Sequence, residues 1–364
     1  VWSRKTSCST TSAASMIRAS LWSTAVASLQ PVIAVAFATA LTGCLFQDKV
    51  EAFTGPTMGS TYTVKYVRSS DVPAKDVLQG EVEAILADLD KQLSTYRSDS
   101  DVERFNALPG GSCEPMPDMV RELVAAGDQL STDSDGAFDL TLEPLLNLWG
   151  FGPQGRATQV PSADDIEAAR ALTGHRHLRI DGDQLCKAVA VQLDFNSIAA
   201  GYAVDRVVDR LKALGVQSYL VEITGELKAE GRKPDGAPWR IAIEAPRDDQ
   251  RVAQKIVELD GLGVSTSGDY RNYFEQDGRR YSHTLDPQSG KPIEHHLAAV
   301  TVVDKSTLRA DGLSTALMVL GPERGLALAE RNAIAAFFVV REGQGFATTS
   351  TKAFDELFGA GVEQ

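Results

Sequence analysis

Asp311 and Thr315 stand one helical turn apart in A-D-G-L-S-T-A-L-M-V-L (310–320), where Leu313, Leu317 and Leu320 keep helical spacing before a Gly321-Pro322 stop signal. Both oxygens therefore project from one face near the positive end of the expected helix. A carboxylate and a hydroxyl converging this way suit a hard cation such as Mg2+, which takes a few protein oxygens and completes its shell from water or phosphate. The same pair also fits a helix cap followed by plain helical surface. Upstream, Y-S-H-T-L-D-P-Q-S-G (281–290) places His283 at the end of a strand, beside the Asp286-Pro287 turn. An imidazole there can act as a general base near neutral pH, or can simply tie the strand to the turn. Ser265-Thr266-Ser267-Gly268 reads as a hydroxyl-rich loop able to donate to phosphate oxygens, or as an ordinary turn.

These groups need elements to hold them. Residues 270–275 and 279–285 flank Gln276-Asp277-Gly278, a hairpin signal, and alternation puts Tyr281, His283 and Leu285 on one face. A strand, turn and strand surround T-M-G-S-T-Y (57–62), with Tyr62, Val64 and Tyr66 alternating. Residues 77–93 form an amphipathic helix with the stripe Val82, Ile85, Leu86 and Leu89; 94–106 is rich in capping side chains and ends in a short helix with Val102 and Phe105. Further helices are expected at 119–130 and at 164–172, the latter opened by Ser162. Strands 177–181 and 186–193 lead into a long helix capped by Asn196 or Ser197, striped by Ile198, Val204, Val208 and Leu211 and closed by Gly215. A helix start after a strand offers free N–H groups to a phosphate. Strands 218–223, 239–244, 255–259, 298–304 and 334–341 complete the reading. Gly150 to Gly155 spells G-x-G-x-x-G, but Pro153 sits inside the supposed phosphate turn and polar loop follows, so the dinucleotide-fold reading is rejected.

The 364 residues suffice for one large domain or two lobes, and the net charge of -13 argues against nucleic-acid binding. Met16-Ile17-Arg18 makes a short basic start, and 32–41 is an apolar core too short to span a bilayer. It ends in Leu41-Thr42-Gly43-Cys44, which resembles a bacterial lipobox with Cys44 as the lipidated residue; an ordinary secretory signal is the alternative. The expected organisation is an upstream extension (1–15), a signal peptide (16–43), a tether (44–54) and a globular domain (55–364). The product would be an exported lipoprotein, anchored to a membrane and facing the periplasm. Of the four cysteines, Cys113 and Cys186 remain for an oxidising compartment, and neither has metal-ligand spacing.

The motifs T-S-G-D-Y (266–270), H-T-L-D-P-Q-S-G (283–290) and A-D-G-L-S-T-A (310–316) resemble the signature of the ApbE family, the FAD:protein FMN transferases. T-M-G-S-T-Y (57–62), G-A-F-D-L-T-L-E-P-L-L-N-L-W-G-F (136–151) and D-F-N-S-I-A-A-G-Y (194–202) match the same pattern in order, so the resemblance covers nearly all of 55–350. It implies an α+β fold of two associated lobes of mixed sheet and helices, with a flavin-binding cleft between them. It implies flavin contacts at Met58, Tyr96, Ala137, Phe138, Asp139, Asp194, Ala200 and Leu285, and Mg2+ held by Asp311, Thr315 and the Ser197 carbonyl. Taken alone, Met58 also fits core filling and Tyr96 a buried structural ring. Ala200 stands where the family usually carries Lys or Glu, and Thr224-Gly225-Glu226 where two glycines and an acidic or small residue are more usual. The implied reaction moves the FMN moiety of FAD to a Thr or Ser hydroxyl of exported flavoprotein subunits of membrane redox complexes and releases AMP, with His283 as base. An FAD pyrophosphatase and a non-catalytic FAD-binding lipoprotein are the alternatives.

Overall fold

Alternation along residues 62–66 buries Tyr62, Val64 and Tyr66 completely, and their strand belongs to an eight-stranded sheet. In the computed structural model, which describes residues 48–155, 159–247, 252–269, 272–343 and 345–359, the sheet strands are β1 (Lys49–Thr57), β2 (Ser60–Arg68), β3 (Tyr219–Ile223), β4 (Glu226–Glu230), β5 (Leu262–Gly268), β6 (Leu297–Asp304), β7 (Ala335–Glu342) and β8 (Gly345–Ser350). Their order across the sheet is their order along the chain, and every neighbouring pair is antiparallel. Antiparallel sheet with helices gathered on it is the α+β class. Met58 and Gly59, both at positive φ (46° and 71°), make the tight β1–β2 turn.

The helices are α1 (Lys75–Leu93), α2 (Asp101–Asn106), α3 (Asp118–Asp133), α4 (Glu143–Trp149), α5 (Ala163–Arg170), α6 (Ala199–Ala213), α7 (Thr307–Arg331) and α8 (Lys352–Phe358). Period-two alternation splits the sheet's apolar residues. Val300, Val302, Ala336 and Phe338 join the core with α1, α3, α6 and α7, while Val303, Phe337 and Val339 pack under α8 and the hairpin Trp239–Glu244/Ala253–Leu259. A third, smaller cluster gathers Leu145, Trp149, Ile166 and Leu285, with Phe274 and Tyr281 packed on it. The Trp149 indole N–H, donating to the Gly290 carbonyl at 2.8 Å, ties α4 to the loop that follows Leu285. Cys113 and Cys186 are disulfide-bonded across adjacent strands of a separate three-stranded sheet. Closing a loop with a sequence separation of 73 stabilises the fold by roughly 4 kcal/mol in the chain-entropy picture.

Several elements differ from the sequence reading. The expected strand 186–193 stops at Lys187, because the buried Lys187 ammonium donates to the carbonyls of Phe105 (2.8 Å), Asn106 (3.1 Å) and Val191 (3.1 Å), which folds the following chain around it. The strand expected at 177–181 begins at Leu178, after a short 3-10 turn, His175–His177. Strand β4 went unread, because E-L-K-A-E has little β propensity and buries only Ala229. Residues 265–268 are strand β5, not a loop. The α6 cap is Ile198 and receives no side-chain bond, so neither Asn196 nor Ser197 caps it. Gly321-Pro322 ends the first helical segment as expected: Gly321 leaves helical geometry (φ 77°) and a second segment continues from Pro322, so α7 is two helices joined at a kink. Strand β1 already begins at Lys49, inside the expected 44–54 tether, while 1–43 and Cys44 lie outside the described residues.

Candidate active site

The sequence-predicted residues converge on two adjoining cavities. Ala137, Phe138, Asp139, Asp194, Ser197, His283, Leu285, Asp311 and Thr315 line one of about 390 Å³. Met58, Tyr96, Ala200 and again His283 line the other, of about 690 Å³, and the two also share Leu146, Asn196 and Asn272. Of the site residues, Cys44 alone falls outside the described residues.

Ser306 caps α7, its hydroxyl accepting from the Arg309 N–H, so the helix starts earlier than expected and Asp311 sits in its second turn. Asp311 does cap a helix, though not its own. Its Oδ2 accepts the Gly201 N–H of the first turn of α6 at 2.9 Å, and its Oδ1 accepts the Ser265 hydroxyl at 3.2 Å. The close approach needs glycine. A Cβ on Gly201 would lie 2.5 Å from the Thr307 carbonyl oxygen and 2.7 Å from the Asp311 Cβ. Thr315 faces the same cavity, and its hydroxyl is only 3.5 Å from Ser267 Oγ, the outer limit of a hydrogen bond.

Glu226, at the start of β4, lines this cavity and was not among the predicted residues. Its turn departs from the family pattern at Thr224, while an acidic residue at position 226 agrees with that pattern. Burial, then the Glu226 charge, holds the Asp311 carboxyl well above its ordinary range, and burial raises Glu226. Among the described residues no group of three His, Cys, Asp or Glu stands together to hold a metal ion. The donor set present is hard oxygen, with Asp311, Thr315 and Ser197 at one cavity, and it fits Mg2+.

His283 follows the hairpin Tyr273–Gln276/Arg279–Ser282 and is not itself in a strand. Its Nδ1 lies 3.0 Å from the Asn272 carbonyl, which can only accept, so Nδ1 carries the proton and Nε2 keeps the lone pair. Phe151 packs edge-on against the ring at 6.3 Å. Burial lowers the imidazole pKa, and the Asn272 carbonyl and Asp269 only partly oppose it, so the ring is neutral and basic at pH 7.

The flavin candidates divide. Tyr96 is 67% exposed at the cavity mouth, which excludes the buried structural ring. Met58 projects from a left-handed turn position, lines the cavity and packs in part against the main core. Asp194 is buried, accepts from the Asn196 N–H (2.7 Å) and side-chain amide (2.9 Å), and is pushed by burial up to about 6. Asp139 lines the cavity and accepts three hydrogen bonds. Oδ1 accepts from the Thr141 N–H and hydroxyl and Oδ2 from the His175 N–H, which makes its side chain a brace for the cavity wall.

Residues 58–338 match the ApbE family. The chain belongs to the ApbE family. It is 43% identical over 324 residues to the FAD:protein FMN transferase of Vibrio cholerae, covering 89% of this chain and 97% of that protein. Against the FAD:protein FMN transferase of Escherichia coli K12 it is 37% identical over 311 residues, 84% of this chain and 88% of the relative. Among solved structures it resembles the apo form of Pseudomonas stutzeri flavinyl transferase ApbE, with 90% sequence identity and a TM-score of 0.83 over 87% of this chain and 99% of that one. The ApbE flavin transferase of V. cholerae superposes with a TM-score of 0.80 at 41% identity, over 85% and 100% of the two chains. The α+β ApbE fold expected from the motifs is therefore the fold observed.

Proposed function

We infer that this chain is an FAD:protein FMN transferase, and we propose that it is Mg2+-dependent, modifies a Thr or Ser hydroxyl and releases AMP. The observation that carries the reading is that His283 and the oxygens of Asp311, Thr315 and Ser197 line one cavity, continuous with the cleft bearing Tyr96 and Met58. In this reading the cleft holds FAD as substrate. Asp311, Thr315 and the Ser197 carbonyl would hold Mg2+, which when bound neutralises pyrophosphate charge. His283 Nε2 takes the proton of the acceptor hydroxyl. The acceptor oxygen bonds to the FMN phosphorus, the bond between that phosphorus and the bridging oxygen breaks, and AMP leaves with the electron pair.

The test is incubation with FAD, Mg2+ and an exported flavoprotein subunit, followed by in-gel flavin fluorescence. Covalent fluorescence on the acceptor is expected; FMN and AMP released with no labelled acceptor would favour the pyrophosphatase instead. We also propose that the chain is a lipoprotein anchored through Cys44 and facing the periplasm, on the strength of the L-T-G-C motif. Among the described residues no helix is long and apolar enough to cross a membrane. Cys44→Ala should move the protein from the membrane pellet to the soluble exported fraction, and a variant that still pellets would refute the anchor.

A further inference from the structure

Strands β4 and β5 pair Leu262 with Ala229, Gly263 with Lys228 and Val264 with Leu227. The next step in that register sets Glu226 opposite Ser265, and residues facing each other across an antiparallel pair share a face of the sheet. Ser265 is the residue whose hydroxyl donates to Asp311. Glu226 and Asp311 are thus brought together from two elements, and both line the cavity that holds Ser197 and Thr315.

We propose that Glu226 is a second carboxylate of the Mg2+ site, standing with Asp311, Thr315 and the Ser197 carbonyl around one cation. The proposal rests on the metal reading above and extends it to a residue outside the predicted ligand set. Charge balance supports it. Every hydrogen bond to the two carboxylates comes from a neutral group: the Gly201 N–H and Ser265 hydroxyl for Asp311, the Thr224 hydroxyl at 3.1 Å for Glu226. Among the described residues neither carboxylate has a salt-bridge partner, and the two face one cavity. A divalent cation is the counter-charge that such a pair calls for, and Mg2+ commonly takes one or two carboxylates.

The turn before Glu226 points the same way. Thr224 sits in the left-handed region (φ 55°), a conformation that disfavours a β-branched residue and that glycine would adopt freely. Thr224 is fixed there by its N–H donating to the Thr61 carbonyl at 3.0 Å, and its hydroxyl orients Glu226 Oε2. A glycine would relieve the backbone and leave that oxygen without its donor.

The test counts bound Mn2+ by electron paramagnetic resonance in titrations of the FAD-loaded protein, without acceptor, for wild type, Glu226→Gln, Glu226→Asp and Asp311→Asn. Glu226→Gln should weaken Mn2+ at least tenfold and Glu226→Asp less, with FAD affinity in chelator and the melting temperature nearly unchanged. Wild-type Mn2+ affinity in Glu226→Gln, beside weak binding in Asp311→Asn, would overturn the proposal and leave the metal reading standing. No bound Mn2+ in the wild type would overturn both. A Glu226→Gln protein that fails to fold transfers the decision to Glu226→Asp, where unchanged affinity despite the shortened side chain counts against ligation.

Discussion

At the scale of single residues, Asp311 and His283 answer to different tests. Asp311 holds an N–H of one helix and a hydroxyl of the sheet as well as facing the cavity, so Asp311→Asn is a gentler probe than Ala. It should lower FMN transfer by roughly a hundredfold or more, the loss of a few kcal/mol of electrostatic stabilisation. Excess EDTA should reproduce the effect on the wild type, and full transfer rates in either case would end the metal mechanism. For His283 the pH profile is the more telling readout. In the proposed reaction the neutral imidazole is the base, and burial moves its pKa below the ordinary 6.5. Activity should therefore persist below pH 6.5 and fall only at more acid pH, as the ring protonates. His283→Ala should lose about a hundred- to ten-thousandfold in transfer with FAD affinity nearly intact. Flavin titration and a melting curve on that variant separate a base from a brace, because a bracing role would weaken binding and stability together.

The elements explain why some of these residues were legible in the sequence and others were not. Asp311, Thr315 and His283 stood out because hard oxygen at helical spacing and an imidazole beside a turn are local patterns. Glu226 did not, since its relation to Asp311 exists only once β4 lies beside β5, a pairing between distant segments with weak β signals. Ser265 and Ser267 were noticed for their hydroxyls but assigned to a loop; as strand residues they point at α7 in register. Asp139 shows the reverse, a conspicuous carboxylate whose oxygens answer to backbone and hydroxyl donors nearby. The contact between α6 and α7 carries its own prediction. Because a Cβ on Gly201 would meet backbone at 2.5 Å, Gly201→Ala must push the helices apart and lengthen the Gly201–Asp311 hydrogen bond. A loss of about 1–3 kcal/mol in stability is expected, with weaker Mn2+ binding. Wild-type melting and metal affinity in this variant would show that the contact has slack.

For the whole molecule, the class and most of the large elements could be read from periodicity, because the main sheet alternates cleanly and its helices are striped. What periodicity could not give was the order of strands. That order carries a kinetic consequence. Strands β3 to β8 follow one another as neighbours, so each pairing closes a comparatively short segment, whereas joining β2 to β3 must close the whole of residues 69–218. Loop-closure entropy makes such a distant pairing slow to form. Asp194, Ser197 and Gly201 arrive from that long insertion, while Asp311 and Thr315 belong to the locally assembled half. On this topology the candidate cavity should be completed late in folding. In refolding from denaturant, flavin quenching should lag behind the recovery of far-UV secondary structure, and the lag should be independent of flavin concentration. Coincident traces would place β2 and β3 together from the outset. A newly made chain would accordingly carry most of its sheet before it could hold FAD at all.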